Sequence, residues 1–153
     1  MSKSGKTMTV NLKRVIAGSP AGVFDAWMDP KQACNPWNVC KDVMMQPRAG
    51  TLFYFRGPHS SGSHFGRMLT LARGRELRHT WMSFYTRGVE TTVTVLFKKH
   101  AAGTLMSIRH SGLPNDAYGR SHAQGWGQFL DMTEKLFAGK KRGEAHGSRT
   151  KRQ

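Results

Sequence analysis

Carboxylates are scarce in this chain: nine Asp and Glu stand against 24 Lys and Arg among 153 residues, a formal net charge of +15. Most of those present sit at the ends of expected elements. Asp29 ends a helix, Asp42, Glu76 and Glu90 lie at strand ends or edges, and Asp116 opens a helix, where negative charge suits the dipole. No two of them stand out as a general acid and its base. Cysteine is scarcer still. Cys34 and Cys40, with five residues between them, build no disulfide framework and match no zinc-ligand spacing. A reduced, cytoplasmic setting is the simpler expectation. No apolar run approaches the ~18–20 residues that span a bilayer, and the N-terminus lacks the apolar core of a secretory leader. A G-x-S-x-G elbow and a GxxxxGK[ST] loop are also missing, and Ser4-Gly5-Lys6 is too short to cradle a phosphate. No catalytic residue, metal or cofactor is therefore assigned.

What is present is the make-up of one globular domain. A domain typically holds ~100–200 residues, and 38% hydrophobic with 22% charged residues argues against a disordered chain. The basic excess concentrates at the ends: residues 1–14 hold four bases and no acid, and residues 138–153 six bases and one acid. The chain divides into a flexible N-terminus (1–6), a single domain (7–137) and a basic, mobile tail (138–153). The tail can neutralise phosphates. Yet no aromatic lies among its bases to stack on a nucleobase, and no nucleic-acid fold signature accompanies it. A specific nucleic-acid partner is not expected.

Periodicity places the elements. Thr7–Ile16 alternates as a strand. Ser19-Pro20 starts a helix, a capping hydroxyl followed by a residue suited to the first helical position, with Val23, Phe24 and Trp27 on one face. Asp29-Pro30 stops it, and Asp29 is read as capping a second short helix that ends near Asn35-Pro36. Strands follow at Val39–Gln46, Thr51–Arg56, His64–Ala72, Glu76–Phe84, Glu90–Lys99 and Thr104–His110, separated by Gly- and Pro-bearing turns. From Asp116 to Phe137 the period changes to near 3.6, with Trp126, Phe129, Leu130, Thr133, Leu136 and Phe137 in one stripe. Successive strands with hairpin links form an antiparallel sheet. One helix cannot cover so wide a sheet while it stays flat, so the sheet must curve around the helix and leave a hollow behind it.

The segments VFDAWMDP (Val23–Pro30), RGPHSSG (Arg56–Gly62), LRHTWM (Leu77–Met82), TTVTVLF (Thr91–Phe97), GTLMSIRHSGLP (Gly103–Pro114) and HAQGWGQFLDMTEKL (His122–Leu136) occur in that order. In this the chain resembles the family of activators of heat-shock-protein-90 ATPase and their homologues, within the START-like (SRPBCC) superfamily. The resemblance covers nearly all of residues 7–137. It implies an α+β helix-grip fold, β-α-α-β₆-α, in which a curved antiparallel sheet wraps a long C-terminal helix around an internal apolar cavity. The family's usual aromatic pair after the second short helix is here reduced to Trp37.

Alternation then selects a lining for that cavity. His79 and Trp81 share a face of one strand, Val93 and Val95 of the next, and Met106, Ile108 and His110 of the next. Met68 lies on an earlier strand. Phe53 and Phe55 share one face and Leu52 and Tyr54 the other; the short preceding link leaves the inward face open, and Phe53 is carried as inward. The helix contributes His122, Trp126, Phe129, Leu130 and Thr133, and Trp37 joins them. Such a set suits a small hydrophobic ligand, lipid-, polyketide- or flavonoid-like, with histidines either bonded at the cavity rim or orienting a polar group of the ligand. Plain core packing is the competing reading for the aromatic and Met residues. The alternatives from other classes are a co-chaperone-like interaction module acting on a heat-shock ATPase and a cavity enzyme using His110 or His122. Exposed sheet edges allow a homodimer.

Overall fold

The computed structural model describes residues 6–57 and 62–151, with side chains described through Lys140. The flexible segment expected at 1–6 lies, Lys6 apart, outside the described residues, as do the tail's side chains from residue 141 onward.

The chain opens with β1 (Thr7–Ile16) and turns into α1 (Pro20–Met28). Ser19 is extended there and its hydroxyl accepts from the Gly22 N–H at 3.1 Å, while Pro20 takes the first turn, where its missing N–H costs nothing. Val23, Phe24 and Trp27 bury that helix's inner side. The second short helix lies later than expected. Asn35-Pro36 starts α2 (Pro36–Val39) instead of ending a helix capped by Asp29. The Asn35 side-chain oxygen accepts from the Asn38 N–H at 3.0 Å, and its amide donates to the Ala26 and Asp29 carbonyls at 2.8 and 2.9 Å. The logic is that of Ser19-Pro20, a cap followed by a proline.

The strands are β2 (Lys41–Met44), β3 (Leu52–Arg56), β4 (Ser63–Ala72), β5 (Glu76–Ser83), β6 (Thr91–His100) and β7 (Gly103–Pro114), with one 3₁₀ turn at Phe84–Thr86. All neighbours pair antiparallel, in the order β1-β7-β6-β5-β4-β3-β2. β2 is shorter than its expected Val39–Gln46. Asp42 adopts a left-handed φ of 52°, which interrupts pairing with β3 between Lys41 and Met44. β7 is longer than Thr104–His110 because β1 pairs with it from Thr7↔Pro114 to Ile16↔Thr104. Phe53 and Phe55 turn inward and Leu52 outward, 67% exposed. Gly66 is a steric necessity where β4 meets β5: a Cβ there would lie 2.3 Å from the Thr80 carbonyl oxygen and from the Phe53 ring.

α3 (Ala117–Lys151) closes the molecule. The Asp116 carboxylate accepts from the Gly119 N–H at 2.9 Å and serves as its cap. Trp126, Leu130, Thr133 and Phe137 are buried along its inner stripe, and Phe129, Met132 and Leu136 are partly covered. The helix runs on past Phe137, where the apolar period stops, to Lys151. No proline interrupts residues 138–151, but Gly139, Gly143 and Gly147 each cost up to about 1 kcal/mol relative to alanine, and the stretch has no apolar face. The curved sheet and α1, α2 and α3 enclose one apolar core of Trp27, Trp37, Phe53, Phe55, Leu77, Trp81, Val93, Val95, Phe97, Met106 and Ile108.

Candidate functional site

Of the fifteen residues selected above, every one but Phe129 is buried, and four meet the apolar cavity between the sheet and α3. Trp81, His122, Trp126 and Phe129 line a space of about 270 Å³ at one end of the sheet. The others pack as core, because the aromatic side chains fill the middle of the grip. Trp37 meets Phe53 and Phe55 edge-on at 5.0 and 5.7 Å, and Phe53 meets His79 at 5.3 Å. Met68, Val93, Val95, Met106, Ile108, Leu130 and Thr133 are each fully covered beneath.

The cavity's remaining walls come from Pro36, Val39 and Cys40 around α2, Phe55, Gly57 and His64 at the β3–β4 end, Tyr85 of the 3₁₀ turn, and Ser121, Gly125, Gln128 and Met132 of α3. The α3 residues form a second stripe beside the core stripe, at spacings of three, four and seven, and that spacing was readable. Gly125 carried its own signal. A glycine in a helix interior costs up to about 1 kcal/mol relative to alanine, and here a Cβ would meet nothing within 4 Å.

The three inward histidines have different environments. Trp126 Nε1–H donates to His110 Nδ1 at 3.0 Å, so that nitrogen is an acceptor and the proton of the neutral ring sits on Nε2. Nε2–H then donates to Thr91 Oγ1 at 2.6 Å, and the Thr91 hydroxyl donates to the Trp81 carbonyl at 2.6 Å. Every proton in this relay has an acceptor. Burial, with His122 and His79 nearby, pushes His110 down to about 2. His110 is absent from the cavity wall and cannot take a proton on Nδ1 without losing Trp126, so it is not available to a ligand. His79 donates from Nδ1 to the Thr80 carbonyl at 2.9 Å, and burial lowers it to about 4.

His122 does meet the cavity. Its Nδ1 lies 3.0 and 3.2 Å from the Tyr118 and Gly119 carbonyls, which only accept, so Nδ1 carries the proton and Nε2 a lone pair. Burial lowers its pKa as well, so the neutral form is favoured. Its ring stands edge-on to His110 at 4.9 Å. Trp81 is also a wall residue, but its Nε1–H is covered by protein and has no acceptor among the described residues.

Carboxylates are absent from this wall. Asp25, Asp42, Glu76, Glu90 and Asp116 each pair with an arginine, and Asp131 and Glu134 share Arg14. Asp29 caps the Lys31 N–H. No group of three His, Cys, Asp or Glu residues is placed to hold a metal among the described residues. Cys40 borders the cavity, and burial raises its thiol to about 11, far from a reactive thiolate at neutral pH. The arrangement can enclose an apolar body and bond one or two of its polar atoms.

A curved seven-stranded antiparallel sheet gripping a long C-terminal helix, with a small apolar cavity between, is the architecture of a helix-grip protein. The chain matches the family "Activator of Hsp90 ATPase homolog 1-like protein" over residues 17–138 and belongs to it. Its fold is similar to that of MLL2253 from Mesorhizobium loti (22% identity, TM-score 0.69, 84% of this chain and 96% of that one). It is similar also to the Aha1 dimer from Colwellia psychrerythraea (15%, 0.65, 85% and 96%). DynU16, from the dynemicin biosynthetic locus, shares the fold over 83% of this chain and 46% of its own (14%, 0.68). No curated protein matches the chain. No helix among the described residues is long and apolar enough to cross a membrane.

Proposed function

We propose that the protein binds a small apolar or aromatic molecule in the cavity between α2, the sheet end and α3, without covalent chemistry. The carrying observation is the wall itself: Phe55, Trp81, Tyr85, Trp126 and Phe129 around about 270 Å³, with no carboxylate. A cavity of ~150 Å³ holds a benzene, and drug-sized ligands need ~300–1,000 Å³. The size therefore suits one or two fused rings better than a lipid chain.

Gly125 provides the test. Naphthalene, titrated into the protein and followed by amide chemical shifts, is expected to bind with a Kd below ~1 mM. Gly125→Leu puts a side chain into the cavity without a clash at Cβ. It is expected to abolish that binding while raising Tm by about 2–4 °C, since leucine is the better helix former. No shift changes with the unmodified protein, or unchanged binding in the variant, would refute the reading.

A second reading, an interaction module acting on a heat-shock ATPase, draws on the family's description and on the sheet's outer face. Met44, Tyr54, Phe65 and Met82 form a cross-strand row there, beside exposed Leu52.

A further inference from the structure

One histidine of the cavity wall has a ring nitrogen whose hydrogen bonding stops short of completion. Nδ1 of His122 is committed to carbonyls of its own helix. The helix thereby fixes the tautomer, leaving Nε2 an acceptor that bonds to nothing among the described residues. Trp81 Nε1–H is a donor, buried and without an acceptor there, on a residue only 5% exposed. Buried polar atoms in folded proteins nearly always find a partner. The neighbouring pair makes the contrast: Trp126 Nε1–H has His110, and His110 has Thr91. Trp126 is satisfied although it lines the wall, and Trp37 Nε1–H, off the wall, is like Trp81 Nε1–H without a partner among the described residues; what the wall offers a ligand is the His122 lone pair.

From this we propose that the ligand is a hydroxylated aromatic of the phenol or naphthol class. Its O–H donates to His122 Nε2, and its ring lies against the wall of Trp81, Trp126 and Phe129. The inference rests on the binding proposed above and narrows it. A hydroxyl is the smallest group that donates to such an acceptor, and its ring provides the flat apolar body that meets the aromatic wall. A carboxylate does not fit this wall as well, because neutral His122 has no proton on Nε2 to give it and no Lys or Arg lines the cavity among the described residues.

The experiment compares naphthalene, 2-methoxynaphthalene and 2-naphthol on the intact protein. The methoxy compound keeps the acceptor and loses the donor. 2-Naphthol is expected to bind about three- to tenfold more tightly than 2-methoxynaphthalene, the worth of one hydrogen bond to an acceptor on the cavity wall. In His122→Phe the ratio of 2-naphthol to 2-methoxynaphthalene affinity is expected to fall to about one. Equal affinities for the three compounds would overturn the hydroxyl assignment and leave cavity binding standing. So would a preference that survives in His122→Phe. Failure of all three to bind would remove both proposals. Should His122→Phe not fold, the 2-naphthol to 2-methoxynaphthalene ratio on the unmodified protein decides alone.

Discussion

His79 is a core residue with a titratable ring, so pH acts on the fold through it. Folded, it stays neutral down to about pH 4; unfolded, an imidazole takes its proton near ~6.5. Between those values the unfolded chain holds more protons, so stability falls as pH drops from 6.5 to 4 and is fully present above 6.5. The His79 share is roughly 3 kcal/mol across that window. Urea unfolding at stepped pH is expected to show this decline, and His79→Phe, which keeps the edge-on contact with Phe53, is expected to flatten it by about that amount. An unchanged slope in the variant would place the pH sensitivity elsewhere. The inward direction of His79, His110 and His122 was readable from strand alternation and the helix stripe. Their separate roles were not, because these depend on the partner each ring finds: Thr91 of another strand for His110, the adjacent Thr80 carbonyl for His79, and carbonyls one turn back on its own helix for His122.

Among the elements, α2 shows where local reading fails. Four residues are too few to display a period, so the only signals are the cap and the proline, and Asn35-Pro36 reads as a stop as readily as a start. Long elements were legible: β1, β4, β6 and α3 all carry a clear period. The cap also does more than start a helix. Asn35 is fully buried and ties α2 to the end of α1 through Ala26 and Asp29. Asn35→Ala leaves two carbonyls and one N–H to find other partners and is expected to cost about 2–4 kcal/mol in urea unfolding. Because α2 also forms a wall of the cavity through Pro36 and Val39, naphthalene affinity is expected to fall with it. A loss below about 0.5 kcal/mol would mean that α2 is held by Trp37 packing alone.

At the scale of the molecule, the sheet separates two surfaces. The concave side holds the core and the cavity; the convex side carries Met44, Tyr54, Phe65 and Met82. Phe65→Glu places a charge on the convex row without touching the cavity wall. Naphthalene binding is expected to stay within about twofold, as for sites without shared partners. Stimulation of a heat-shock ATPase by the unmodified protein, lost in Phe65→Glu, is the result that assigns the second reading. The order of elements and the grip of sheet on helix follow from the patterning along the chain. The size of the hollow does not, because Trp37, Phe53 and Phe55 close its centre through three-dimensional fit, and space is left at the end beside Gly125.

The pairing of β1 with β7 sets a timetable for synthesis. The first strand made is the last to find its neighbour, since about 90 residues must leave the ribosome between Ile16 and the arrival of β7. At ~5–20 residues per second, β1 waits roughly 5–20 s with a bare edge. A nascent chain of this design is exposed to mispairing for that interval, and its cell must shelter a ten-residue strand whose proper mate does not yet exist.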